Sequence, residues 1–281
     1  MATTAKLLDV LSRRHLQALL ESTAVERVWR GIYSLGPADE VRRLKGLDLA
    51  AGEAVPICLS TAARVFGFDT EGDEDLHVLN PSGHQLRPAD GLVVHRRDGA
   101  PLTIVGDRPA VEPAWTAVEV ARGLLRPRAL ATLDAALRSG RCDRADMARA
   151  AKAQAGRRGI VVVRDLLAFA DGRAESPMES EARLVMLDGG LPSPVLQWEI
   201  VDSRGRLRRL DFSWPEFKVA AEYDGVDWHG GSDDLRRDRE RLAALQDLGW
   251  IVIPIIAADV RIRPEELVAR IEANLRRAQV A

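Results

Sequence analysis

Apolar residues recur at helical spacing near the amino end, where Leu7, Leu8, Leu11, Leu16, Leu19 and Leu20 share one stretch. From Val25 to Leu35 the pattern alternates instead and turns at Gly31, which predicts a β-hairpin or wing behind short helices. Between 57 and 110 short strands are expected at Leu76–Leu79, Gly91–Arg96 and Leu102–Val105, set among Gly and Pro turns. Residues 112–170 then become rich in Ala, Leu and Arg with a helical period. Helices are predicted over Val111–Leu125, Pro127–Ser139, Asp143–Gln154 and Val161–Ala170. The second carries Ala129, Leu130, Leu133, Ala136 and Leu137 on its apolar stripe and stops at Gly140; Asp143 caps the third. Asp171–Pro177 breaks the pattern and suggests a domain boundary.

Beyond Pro177 helices and strands alternate. A helix is expected over Glu179–Gly189, strands over Val195–Asp202 and Arg206–Phe212 about a Ser203–Gly205 turn, and a third strand over Lys218–Tyr223. A long charged helix, Asp233–Leu248, stops at Gly249. The β-branched run Trp250–Ile256 reads as a buried strand, and Pro264–Gln279 as a closing helix with proline in its first turn. The order is α-β-β-β-α-β-α, and the fold class expected is α/β, or α+β over the whole chain.

Composition narrows the function classes. The 281 residues hold 46% hydrophobic and 29% charged side chains, enough for a real core. Forty Lys and Arg against 42 Asp and Glu exclude a strongly basic nucleic-acid coat. From Ser176 to the end there are 15 Lys and Arg against 19 Asp and Glu, a net of −4, so weak non-specific DNA binding is expected there without metal. Two distant cysteines, Cys58 and Cys142, make neither a disulfide scaffold nor a zinc module. No apolar run is long enough for a bilayer and no signal region opens the chain, so a reduced, cytoplasmic protein is expected.

Four acidic positions stand out in the last third. Glu179 lies on the first helix of that region, Asp211 near the end of the second strand, and Glu222 and Asp224 two apart on the third. Residues two apart on a strand share a face, here with Lys218 and Ala220, while Phe217, Val219, Ala221 and Tyr223 face a core. Carboxylates at the ends of adjacent strands can converge on Mg²⁺ or Mn²⁺, which take oxygen ligands, polarise a phosphate and acidify a bound water. Carboxylates at strand ends are also common without any function, but buried paired ones are costly unless something compensates.

Ser176-Pro177-Met178-Glu179, Arg209-Leu210-Asp211-Phe212, Ala221-Glu222-Tyr223-Asp224-Gly225, Trp228-His229, Asp238-Arg239-Glu240-Arg241 and Leu248-Gly249-Trp250 resemble the DUF559 family. That family is related to very-short-patch-repair endonucleases within the PD-(D/E)XK nuclease superfamily. The resemblance implies a restriction-endonuclease-like domain that hydrolyses DNA phosphodiesters with Mg²⁺ or Mn²⁺. It implies Asp211, Glu222 and Glu179 as metal carboxylates, joined by Asp224, which stands where the superfamily's usual lysine does, as a catalytic carboxylate. His229 is then a general base or a phosphate contact, or else a surface or capping residue. Lys218 is a weaker candidate for a migrated cation. Arg239 or Arg241 belongs near the metal or a phosphate, or else on a solvated helix face. The cluster Arg204, Arg206, Arg208 and Arg209 could grip phosphates or simply protect a hairpin edge.

The front half resembles the AbiEi-like, type IV antitoxin family through residues 26–35 and Leu59-Ser60-Thr61-Ala62-Ala63. This implies a winged helix-turn-helix with its recognition helix near Ser12–Ser22, its wing near Val25–Ile32, and Arg13, Arg14, Arg27 and Arg30 as DNA contacts. The family carries another helix ahead of this one; here about ten residues precede it. A small structural cap is the competing reading of the same unit. Three parts are therefore expected: 1–36 a partial winged-helix unit, 37–172 an AbiEi-like region, and 173–281 a nuclease-like domain. The leading expectation is a metal-dependent DNA endonuclease; the alternative is a non-enzymatic DNA-binding regulator or antitoxin on a degenerate nuclease scaffold. DNA is the expected partner, with a homodimer or toxin-like partner possible and no membrane.

Overall fold

Ser12, Asp39, Asp143 and Ser176 each accept a hydrogen bond from the backbone N–H three residues on, at 3.2, 2.8, 2.7 and 3.1 Å, and each starts a helix. These are helices α2 (Arg13–Glu21), α3 (Glu40–Ala51), α7 (Arg144–Ala153) and α9 (Pro177–Asp188). The computed structural model describes residues 1–68, 74–81, 83, 85–96, 99–225 and 232–280, without the side chains of 232–235 and 238. The chain is mixed α+β and divides into two units, Met1–Val120 and Ala121–Ala281.

In the first unit β1 (Ala2–Thr3) leads into α1 (Thr4–Leu8) and α2, followed by β2 (Val25–Trp29) and β3 (Ile32–Leu35). The three strands form an antiparallel sheet in the order β1-β3-β2. Helix α3 lies close to Trp29: a Cβ on Gly46 would come within 2.9 Å of the indole, so only glycine admits this approach. Trp29 donates its indole N–H to the Arg43 carbonyl, and the Arg43 guanidinium sits over the same ring. Next come α4 (Leu59–Phe66), the parallel pair β4 (Leu76–Leu79) and β5 (Leu92–His95), and the antiparallel pair β6 (Leu102–Val105) and β7 (Arg108–Val111). Ile57 bridges β4 to β7. Helix α5 (Pro113–Ala121) packs Trp115 against Cys58, Leu79, Ala100 and Val111.

The second unit opens with α6 (Arg126–Arg138), α7 and α8 (Ile160–Leu166), and continues through α9 into β8 (Val195–Val201) and β9 (Leu207–Trp214). A 3₁₀ turn, Pro215–Phe217, leads to β10 (Val219–Tyr223), then α10 (Ser232–Asp247), β11 (Ile251–Ile255), α11 (Ala257–Arg261) and α12 (Pro264–Val280). The sheet order is β11-β10-β9-β8, parallel only between β10 and β11. One apolar layer joins Phe212, Trp214, Val219 and Ala221 to α9 and α12; another joins Leu210 and Ala220 to Leu245 and Trp250. Helices α6 and α9 are tied by a buried ion pair, Arg183–Asp134 at 2.6 Å. Glu181, also buried, takes both Arg128 and Arg261. The Asp171–Pro177 break lies within the Ala121–Ala281 unit, where the Asp171 N–H donates to Asp134.

Two local expectations are corrected. Lys218 is not on the strand: it closes the 3₁₀ turn in the left-handed region (φ 47°) and donates its Nζ to the Leu248 carbonyl at 3.0 Å. The face of Ala220 is not a polar one either, because α10 covers it and Ala220 is fully buried. No helix among the described residues is long and apolar enough to cross a membrane.

Candidate functional site

Two places carry the sequence-predicted site residues. The first is the α2–β2–β3 segment. Leu16 is the buried anchor of α2, and Val25, Trp29 and Ile32 fix the strands. This leaves Arg13 and Arg14 at the start of α2, and Arg27 and Arg30 on and beside β2, all exposed. Among the described residues none of the four makes an ion pair or a side-chain hydrogen bond. Residues 1–36 hold five Lys and Arg against three Asp and Glu, a local excess of positive charge in a chain that is net negative. Free guanidinium groups on a helix start and an adjoining hairpin are suited to phosphate oxygens.

The second place is where β9 and β10 part. Their ladder ends at the Ala221–Phe212 pair. Beyond it Asp211 Oδ2 accepts the Tyr223 N–H at 3.0 Å, so the carboxylate replaces the missing rung. Glu179, 8% exposed, takes the Glu175 N–H at 2.9 Å and the Gln197 amide at 3.0 Å on the same oxygen. Burial pushes the Glu179 carboxyl above its ordinary range, and the Asp211 charge adds to that. Burial likewise raises Asp211, with the Glu222 charge adding to it and the Tyr223 N–H opposing. Arg241 holds Glu222 through two hydrogen bonds of 2.5 and 2.6 Å and also donates to the Arg209 carbonyl. Glu179, Asp211 and Glu222 thus form one electrostatically linked group, with an arginine neutralising its outer member. As they stand, no three His, Cys, Asp or Glu side chains among the described residues are placed to hold a metal ion together.

Of the other candidates, Asp224 is exposed just past the end of β10, where its N–H donates to the Ile255 carbonyl. Arg239 is exposed on α10, while Arg241 reaches the acidic group. His229 lies outside the described residues, as does the side chain of Asp238. In the hairpin cluster Arg208 pairs with buried Asp202, which also accepts the Arg204 and Arg206 N–H groups, and Arg209 pairs with Glu175. Arg208 is thus part of a turn lock. Sequence reasoning missed Gln197, since an exposed-looking Gln inside an alternating strand gives no warning.

Over residues 53–169 the chain matches the AbiEi antitoxin C-terminal domain. Over 271 residues it is 52% identical to the "Uncharacterized protein MT2308" and the "Uncharacterized protein Rv2248" of two Mycobacterium tuberculosis strains. That alignment covers 96% of this chain and 100% of each relative. The chain belongs to their family. Its AbiEi domain begins behind the α2–β2–β3 segment, takes in α4, β4–β7 and α5, and ends after α8. The crystal structure of RV2827C protein from Mycobacterium tuberculosis aligns at TM-score 0.43 and 14% identity, over 71% of this chain and 83% of that one.

Proposed function

We propose that this protein is a DNA-binding regulator of the antitoxin type. The match to an AbiEi antitoxin domain supports this reading most strongly, and the front half's resemblance to the type IV antitoxin family implies DNA as the partner. The α2–β2–β3 segment is the DNA reader, with Arg13, Arg14, Arg27 and Arg30 on phosphates or base edges. The acidic group of the last third is then part of a degenerate nuclease-like scaffold, with Glu222 held by Arg241. Fluorescence anisotropy with duplex DNA in EDTA tests this. Binding without divalent metal, lost when all four arginines are replaced by alanine in a protein that still melts cooperatively, is the expected result. Equal binding by that variant sinks the assignment of the reader.

A second reading, metal-dependent DNA cleavage, rests on the DUF559 resemblance and on one specific observation. Beside the buried Glu179, and across the strand register from the half-buried Asp211, the Gln197 Oε1 atom is buried with no hydrogen-bond partner. Two carboxylates and an orphaned amide oxygen are hard donors that fit Mg²⁺ or Mn²⁺ better than a soft metal. Asp211, Glu179 and, once released from Arg241, Glu222 would hold the ion, which supplies Lewis-acid activation of a phosphodiester and of water. Supercoiled, linear and single-stranded DNA in Mg²⁺, Mn²⁺ or EDTA, beside Asp211→Ala and Glu222→Ala, separates the two readings. Cleavage lost in both variants favours the enzyme; cleavage unchanged in both removes these residues from it.

A further inference from the structure

Strand β8 is irregular at one residue. Leu196 pairs with Phe212 and Trp198 with Leu210, so Gln197 stands opposite Asp211, yet that pair is absent from the ladder. The reason is the Gln197 backbone, which sits in the left-handed region at φ 52°. A residue with a Cβ rarely adopts this conformation, and nothing in a Gln favours it. The surroundings must therefore impose it. The consequence is that the side chain turns to Glu179: Nε2 donates to Glu179 Oε2 at 3.0 Å. The other end of the amide, Oε1, is buried without a partner. A buried carbonyl oxygen left unpaired is unfavourable, and a fold retains one where something else completes it.

We infer that Gln197 is a positioning residue of a divalent-cation site between Glu179 and Asp211: its N–H fixes the Glu179 carboxylate and its oxygen faces the cation. The inference rests on the second reading above, in which this group holds Mg²⁺ or Mn²⁺. Exchange of Oε1 and Nε2 does not rescue the orphan, because Glu179 then meets an oxygen and the N–H is left over.

The test is isothermal titration of the full chain with Mn²⁺, together with thermal midpoints in EDTA. Wild type is expected to bind Mn²⁺ and Asp211→Asn to lose it. Gln197→Met keeps the volume and removes both polar atoms. It is expected to weaken Mn²⁺ by about tenfold or more, as loss of a group supporting metal ligands does. Because the variant also removes the donor to Glu179, its midpoint in EDTA reads only the structural share, and the Mn²⁺ affinity decides: a purely structural Gln would give a lower midpoint and unchanged Mn²⁺ affinity. Gln197→Glu, which restores an oxygen, is expected to bind Mn²⁺ more tightly than Gln197→Met, and also serves if the latter does not fold. Mn²⁺ affinity equal in wild type and Gln197→Met overturns the role of Gln197 alone. Failure of wild type to bind Mn²⁺ overturns both this inference and the reading beneath it.

Discussion

Asp134→Asn removes one charge from an ion pair that is almost wholly out of water: the side chains of Arg183 and Asp134 are 6% and 0% exposed. The asparagine keeps the shape and can still accept the Asp171 N–H, which meets Asp134 Oδ1 at 2.7 Å. What it leaves behind is a buried guanidinium that still donates to the Phe169 carbonyl but has lost its counter-charge. Breaking one side of a buried pair costs about 3–5 kcal/mol. The unit concerned runs from Ala121 to Ala281, 161 residues. At about 2.1 cal/mol/K per residue its unfolding entropy is about 0.34 kcal/mol/K, so the midpoint should fall by about 9–15 °C. Differential scanning calorimetry reads this directly, and the same transition should move by circular dichroism. A double variant, Asp134→Leu with Arg183→Met, should recover most of the loss, since apolar replacement of a buried pair is often neutral. A fall of under 3 °C in Asp134→Asn would refute the reasoning, and with it the claim that α6 and α9 are welded into one unit.

Two further outcomes follow from particular atoms. Asp211 is raised by burial, so its charged form disfavours the fold above its folded pKa, and that handicap vanishes below the ordinary Asp value of about 3.9. Asp211→Asn should therefore melt higher than wild type at pH 7 in EDTA, with the gap closing toward pH 4; a gap independent of pH would contradict this. Gly159→Ala should cost more than about 2 kcal/mol, because a Cβ there meets the Arg122 carbonyl at 2.1 Å on a backbone with φ 83°. Gly140→Ala, with φ 66° and open space, should cost about 1 kcal/mol, and similar urea midpoints for the two would contradict the packing argument.

Much of this architecture is legible because it is local. Asp143 is a cap in the chain as written and a cap in the fold, where Ser12 and Ser176 cap helices as well. The alternation of Val25–Leu35 and the β-branched run before Ile256 appear as β2, β3 and β11. Helix α3 was not expected: Leu44, Leu47 and Ala51 have helical spacing, but Arg42, Arg43, Lys45 and Asp48 dilute it. Strand β7 hides behind Pro109, which reads as a turn. In the acidic group the chain order puts Glu179, Asp211 and Glu222 at neighbouring element ends. It gives no hint that Arg241 takes Glu222, that Lys218 leaves the strand, or that Gln197 turns left-handed. Those are tertiary outcomes, set by which strand ends part and which helix covers them.

Salt dependence of DNA affinity for wild type and Arg27→Ala/Arg30→Ala tests the central claim most directly. If the wing carries two phosphate contacts, the slope of log affinity against log salt should shrink by about 1.8 and binding at low salt should weaken. An unchanged slope and unchanged affinity would contradict the account and make the α2–β2–β3 segment a structural cap.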